Sequence, residues 1–228
     1  MGSPRLRRAA VAVACVLTLA GCGSVHPGAA AQIGDVSISD DQLQESTEGF
    51  CDLIDTINAA QQGSNAPVPV RSALLSALNT LVIGAALDQL AQQNDVQVSN
   101  AEVEQWIAAL PIDLGQVPES RAEDVQAITE RVGRNSLLVE KLGRLAYERE
   151  NPGSSGAPTE DVQQLGQQMA DDYLDQVGAD INPRYGQVLD TQRLPGTGSL
   201  SVAVSEEGVA GENVPQPNGS LPGNQVCS

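Results

Sequence analysis

The 228-residue sequence has one histidine, one tryptophan, one phenylalanine and three tyrosines. Lys141 is its only lysine, against eleven arginines. These shortages exclude a good deal. His26 stands near the N-terminus among small residues, so neither a Ser-His-Asp set nor a Cys/His pair can be assembled around it. There is no GxSxG, no P-loop, no CxxC and no metal-ligand spacing. Carboxylate pairs can be sought at Asp40–Asp41 or among Asp171, Asp172 and Asp175. Those positions lie at a helix start or on a helix face, where acids are ordinarily solvated or complement the helix dipole, and none has EF-hand spacing. The sequence therefore predicts a protein that is not an enzyme and takes neither cofactor nor metal.

Basic residues are scarce overall, yet Arg5, Arg7 and Arg8 open the chain and an uncharged run from Ala9 to Ala20 follows. This is the n-region and h-region of an export signal. The run is too short for a bilayer core, which takes about 20 apolar residues. It ends in Leu19-Ala20-Gly21-Cys22, which resembles the bacterial lipobox, whose cysteine is diacylated on sulfur and becomes the mature first residue. The resemblance implies a signal over residues 1–21, a small-residue tether over 22–30, and anchoring to the outer face of the cell membrane through lipid on Cys22. Two acyl chains give the stable attachment that one does not. The competing reading is an ordinary signal with a chance cysteine.

Without residues 1–21, 9 basic residues face 29 acidic ones, a net charge of −20. Nucleic acid is excluded as a partner on that balance. So is adhesion to anionic lipid by charge alone, which leaves anchoring to the lipid group. Cys15 leaves with the signal, and Cys22 carries lipid. Cys51 and Cys227 remain, and in an exported chain such a pair reads as a disulfide tying the C-terminal end to the body. Two free thiols are the alternative.

With aromatics so few, the core has to come from Leu, Val, Ile and Ala, arranged as helices. A short strand, a turn at Gly34-Asp35 and a second extended piece precede Ser39, which caps a helix carrying Leu43, Phe50, Leu53, Ile54 and Ile57. Val70 to Gln93 is the most apolar stretch and reads as a central helix buried on more than one side. Ser99 with Glu102 forms a capping box for a short helix bearing Val103, Trp106, Ile107 and Leu110 and ending at Pro111. Ser120 with Glu123 predicts another box, opening a long helix to about Tyr147 that Gly133 weakens or bends. Thr159 starts a last helix, which Gly178 stops. A strand around Asp180–Leu189 follows, held at a sheet edge by Pro183. The proline- and glycine-rich residues 191–228 are expected to be a disordered tail.

The order of these pieces resembles SurA-type chaperone domains. Gln32-Ile33-Gly34-Asp35-Val36-Ser37-Ile38-Ser39 is similar to their opening V-N-G-x-x-I-[ST], with Gly-Asp in place of Asn-Gly. Val96-Gln97-Val98-Ser99-Asn100-Ala101-Glu102-Val103 is similar to the segment after their long second helix. Ile181-Asn182-Pro183-Arg184-Tyr185-Gly186 resembles the closing strand of actinobacterial SurA-like lipoproteins. The resemblance spans about residues 31–190. It implies a mainly α domain of about five helices, with a small two-stranded β element formed by the N- and C-terminal segments. It carries over no prolyl isomerase, since a parvulin-type domain and its paired histidines are missing.

The expected function is a membrane-anchored holdase for unfolded or exported polypeptides, with Trp106, Ile107 and Leu110 as candidate walls of a peptide groove. Trp106 is alternatively a core residue. The competing function is a structural or assembly lipoprotein of the cell envelope that binds one partner.

Overall fold

A computed structural model describes residues 28–60, 68–112, 114–153, 156–185 and 225–227. The expected signal, Cys22 and the greater part of the expected tail lie outside these residues. Among them the chain forms five helices and a three-stranded sheet.

Strand β1 (Ala29–Ile33) turns at Gly34-Asp35 into β2 (Val36–Ser39), and the two pair antiparallel. Gly34 has φ 55°, a backbone state that glycine enters without steric cost. β1 begins two residues before the expected domain start, and Ala29 and Ala30, expected in the tether, are buried in the fold.

Helix α1 (Asp40–Ala60) follows directly, with Ser39 Oγ accepting a hydrogen bond from the Gln42 amide at 3.1 Å. Helix α2 (Val70–Gln93) occupies the stretch that its apolar residues predicted. Eleven of its residues are buried, from Ala73 to Ala91. It is the one helix among the described residues long and apolar enough to cross a membrane. Here it packs against α1, against two later helices and against β1, which explains its apolar breadth.

Helix α3 (Asn100–Ala108) starts from the complete Ser99–Glu102 capping box. A single 3-10 turn at Leu114–Gln116 leads to α4 (Glu119–Glu150). The expected Ser120–Glu123 box is absent. Pro118 holds the N-cap position in an extended conformation without a side-chain hydrogen bond, and Ser120 already lies inside the first turn. Pro118, with φ −56° and ψ 140°, has the extended backbone an N-cap takes, and the chain turns helical from Glu119. The helix also runs past Tyr147 to Glu150.

Gly133 does not break α4. It is buried, and a Cβ there would stand 2.7 Å from Cε3 of Trp106. It is the floor on which the indole rests. Helix α5 (Thr159–Val177) ends at Gly178, with φ 72°.

β3 is short, Ala179–Ile181, and pairs antiparallel with β1, with Ala31 opposite Ile181. The sheet order is β2-β1-β3, so the β element has three strands where two were expected. Pro183 is not in the strand but opens a 3-10 turn, Pro183–Tyr185. Asn182 Nδ2 donates to the Ala29 carbonyl at 3.0 Å, and the Asn182 amide donates to that of Ala30 at 2.9 Å. Tyr185 Oη donates to Asp40 Oδ1 at 2.8 Å, and Arg184 pairs with the same carboxylate, fastening the return strand to the start of α1. These contacts, the Arg184 bond foremost, hold the Asp40 carboxyl below its ordinary range.

One core joins sheet and helices. Ile33, Ile38 and Leu43 meet Leu78, Leu81, Val82 and Leu87 of α2, Leu138 and Leu142 of α4, and Tyr173 and Leu174 of α5. The only aromatic among these is Tyr173, whose hydroxyl donates to Gln89 Oε1 at 2.9 Å and so keeps its polar end satisfied.

Candidate functional site

Helix α3 is held onto α4 at its N-terminal end. Lys141 Nζ donates to the Gln97 carbonyl at 2.7 Å and pairs with Glu102 Oε1 at 2.6 Å. Arg134 donates to the Val98 carbonyl at 3.2 Å and pairs with Asp88 at 3.1 Å. Arg149 donates to Asn94 Oδ1 at 3.1 Å. The chain from α2 to α3 is thus pinned by three cations of α4. Lys141 and the Ser99 groups lower the Glu102 carboxyl to about 2.

After Ala108 the chain leaves α3 and passes through the proline-flanked loop into α4, so the loop and the first turns of α4 lie beside the last turn of α3. Between them is an open groove of about 350 Å³. Its wall is mostly apolar: Ile107 and Ala108 from α3, Leu114 and Val117 from the loop, Ala122 and Val125 from α4. Glu104, Gln126 and Glu130 form its rim. A second hollow of about 500 Å³ adjoins it, lined by Asp88, Asn100, Arg131, Arg134 and Asn135 among others. Glu104 and Glu130 belong to both.

Of the three residues expected to wall a groove, Ile107 does so. Trp106 is half-buried, turned against Gly133 of α4. Leu110 is half-buried beyond the end of α3 and lines neither hollow. The walls that the sequence reading missed are Ala108 of α3, the loop residues Leu114 and Val117 and the α4 residues Ala122 and Val125. Three apolar residues kept between Pro111 and Pro118, Ile112, Leu114 and Val117, were the available signal.

Cys51 and Cys227 form a disulfide in this structure, with Cα atoms 4.9 Å apart and a separation of 176 positions in sequence. The Cys227 amide donates to the Val68 carbonyl at 2.9 Å, and Val226 bridges to Pro69. The C-terminal residues 225–227 therefore lie across the entry to α2 and are bound to α1.

The acids considered for catalysis do not converge. Asp40 is engaged by Arg184 and Tyr185. Asp171 is pushed up by burial first, then by Asp175 and Asp172 on the same helix. Among the described residues no three His, Cys, Asp or Glu side chains are grouped to hold a metal.

Residues 7–116 match the family model described as the SurA-like N-terminal domain. Neither the curated proteins nor the solved structures gave a match. The matched stretch takes in the β1–β2 hairpin, α1, α2, α3 and the 3-10 turn, and it stops before α4. Over residues 7–116, a little under half of the chain, the protein is SurA N-terminal-domain-like.

Proposed function

We propose that the protein is a membrane-anchored, extracytoplasmic holdase that binds unfolded or exported polypeptides without catalysis. The SurA-like N-terminal domain is a chaperone-type module and supports polypeptide binding. The observation that carries the reading is the α3–α4 groove, whose apolar walls are open to solvent beside that domain. An apolar side chain entering it leaves water at about 25 cal/mol per Å² buried, which requires no nucleotide. Anchoring rests on Leu19-Ala20-Gly21-Cys22, with lipid on Cys22 holding the body at the outer face of the cell membrane. The Cys51–Cys227 bond suits that oxidising side.

Suppression of aggregation of a denatured client by the purified protein tests the reading. Suppression near equimolar ratio, weakened by Ala108→Glu or Leu114→Glu in the groove wall, is the expected result. Capture of one crosslinked partner with no suppression of a general client would favour an assembly lipoprotein of the envelope instead. Labelling with a radioactive fatty acid, lost on Cys22→Ser, tests the anchor.

A further inference from the structure

Glu104 of α3 and Glu130 of α4 line both hollows, so the apolar groove and the polar one meet at two carboxylates. Both side chains are exposed. Their neighbours are neutralised: Asp88 pairs with Arg134, and Glu102 pairs with Lys141. Glu130 accepts one hydrogen bond from Gln126 Nε2 at 2.7 Å, and among the described residues neither Glu104 nor Glu130 is in an ion pair. Two unpaired acids thus stand where the apolar wall ends.

We infer that the groove selects polypeptide segments in which an apolar stretch is followed by a single Lys or Arg, the apolar side chains filling the hollow beside Ile107 and Leu114 and the cation seated at Glu104 and Glu130. This rests on the groove being the polypeptide site. The apolar wall supplies affinity in proportion to buried area. The carboxylates add charge-assisted hydrogen bonds to an ammonium or guanidinium. Arg131 lies just beyond, in the polar hollow, and carries the opposite charge. One cation is favoured at the pair, and a run of cations meets repulsion from Arg131. The discrimination is therefore local, unlike the general attraction that an acidic protein exerts on any basic chain. Because both acids are exposed, its size is that of solvent-screened pairs, roughly fivefold in affinity.

Fluorescence anisotropy with the full exported protein tests this. The probes are labelled peptides sharing one Leu/Val-rich stretch, followed by Lys, by Gln, by Glu or by three Lys residues. The single-Lys peptide is expected to bind roughly fivefold tighter than the Gln peptide, the Glu peptide weakest, and the triple-Lys peptide no tighter than the single one. In Glu104→Gln/Glu130→Gln the ratio of Lys to Gln peptide falls to about one, and in Glu104→Lys/Glu130→Lys the order of the Lys and Glu peptides inverts, a change that a merely structural role would not produce. Equal binding of the Lys and Gln peptides by the unaltered protein overturns the inference and leaves the groove reading standing. So does a preference that survives both double variants, or affinity that climbs with every added Lys. If no apolar peptide binds at all, the groove reading fails, and the inference with it.

Discussion

Gly143 of α4 and Gly166 of α5 meet so closely that a Cβ on Gly143 would lie 2.9 Å from the Gly166 amide nitrogen and 1.8 Å from the Val162 carbonyl oxygen. A Cβ on Gly166 would in turn lie 2.1 Å from the Val139 carbonyl. The same device recurs along α4. A Cβ on Gly49 of α1 would lie 2.8 Å from the Asp124 carbonyl oxygen, one on Gly84 of α2 would lie 2.9 Å from Asn135 Oδ1, and Gly133 faces Trp106. Every helix that packs on α4 does so over a glycine, and with few aromatics to fill wide gaps the helices close the space by approaching one another.

Alanine at Gly143 or Gly166 must push α4 and α5 apart, because the atoms it meets are backbone and cannot rotate away. Helix propensity returns about 1 kcal/mol, while overpacking costs about 1–3 kcal/mol and occasionally more. Contacts this short belong at the upper end, so a net loss of about 2 kcal/mol is expected for each variant in urea unfolding. No loss in either would mean that the crossing is wider than described.

Trp106 is the only tryptophan, so its fluorescence reports the α3–α4 contact alone. Gly133→Ala should displace the indole toward solvent and shift its emission to longer wavelength, with the far-UV circular dichroism unchanged. An unaltered spectrum would contradict the Trp106–Gly133 contact.

Glu102 contributes a pH-dependent stability with a definite sign. Its folded value, about 2, lies below the ordinary 4.5. The contribution is complete above the unfolded value and disappears as pH falls from about 4.5 toward 2. Glu102→Gln, or Lys141→Met on the other side of the pair, should flatten the melting temperature across that range. A slope identical to that of the unaltered protein would show that the Lys141–Glu102 latch is not populated. Each variant should also loosen α3, seen as faster amide exchange at Val103.

Reducing the Cys51–Cys227 bond, or replacing both cysteines by serine, should release residues 225–227 from Val68 and Pro69. Closing a loop of 176 residues is worth at most about 5 kcal/mol by chain entropy, and a loss of about 2–5 kcal/mol is expected on removal. Hydrogen exchange should rise first at the start of α2. Titration of the unreduced protein with a thiol reagent should find neither cysteine reactive.

Much of the helical pattern was legible because helix starts and stops are local. The extent of α2 follows from its apolar run, α3 from Ser99 and Glu102, and the end of α5 from Gly178. Each signal lies within one turn of the hydrogen bonds it governs. Where two local signals competed, reading failed: Pro118 and Ser120 both suit a helix start, and the proline, two residues earlier, took the N-cap position.

The candidate site was less legible, for a physical reason. The stripe Val103, Trp106, Ile107, Leu110 reads as one apolar face, of which α3 holds the first three, but helical spacing does not say which neighbour covers each member. The arrival of α4 sends Trp106 to Gly133 and leaves Ile107 beside Leu114 and Val117. Gly133 itself reads as a weak point in a helix until the indole resting on it is seen. By itself the sequence determined the helices, the hairpin turn and the acidity, since these depend on composition and on neighbours along the chain. The return of β3 to β1 was implied by the family resemblance, but only the tertiary structure decided that the sheet has three strands with β1 in the middle, that α4 is approached over glycines, and that the groove opens between α3 and α4. Those outcomes are set by contacts between residues tens of positions apart, and no local periodicity encodes them.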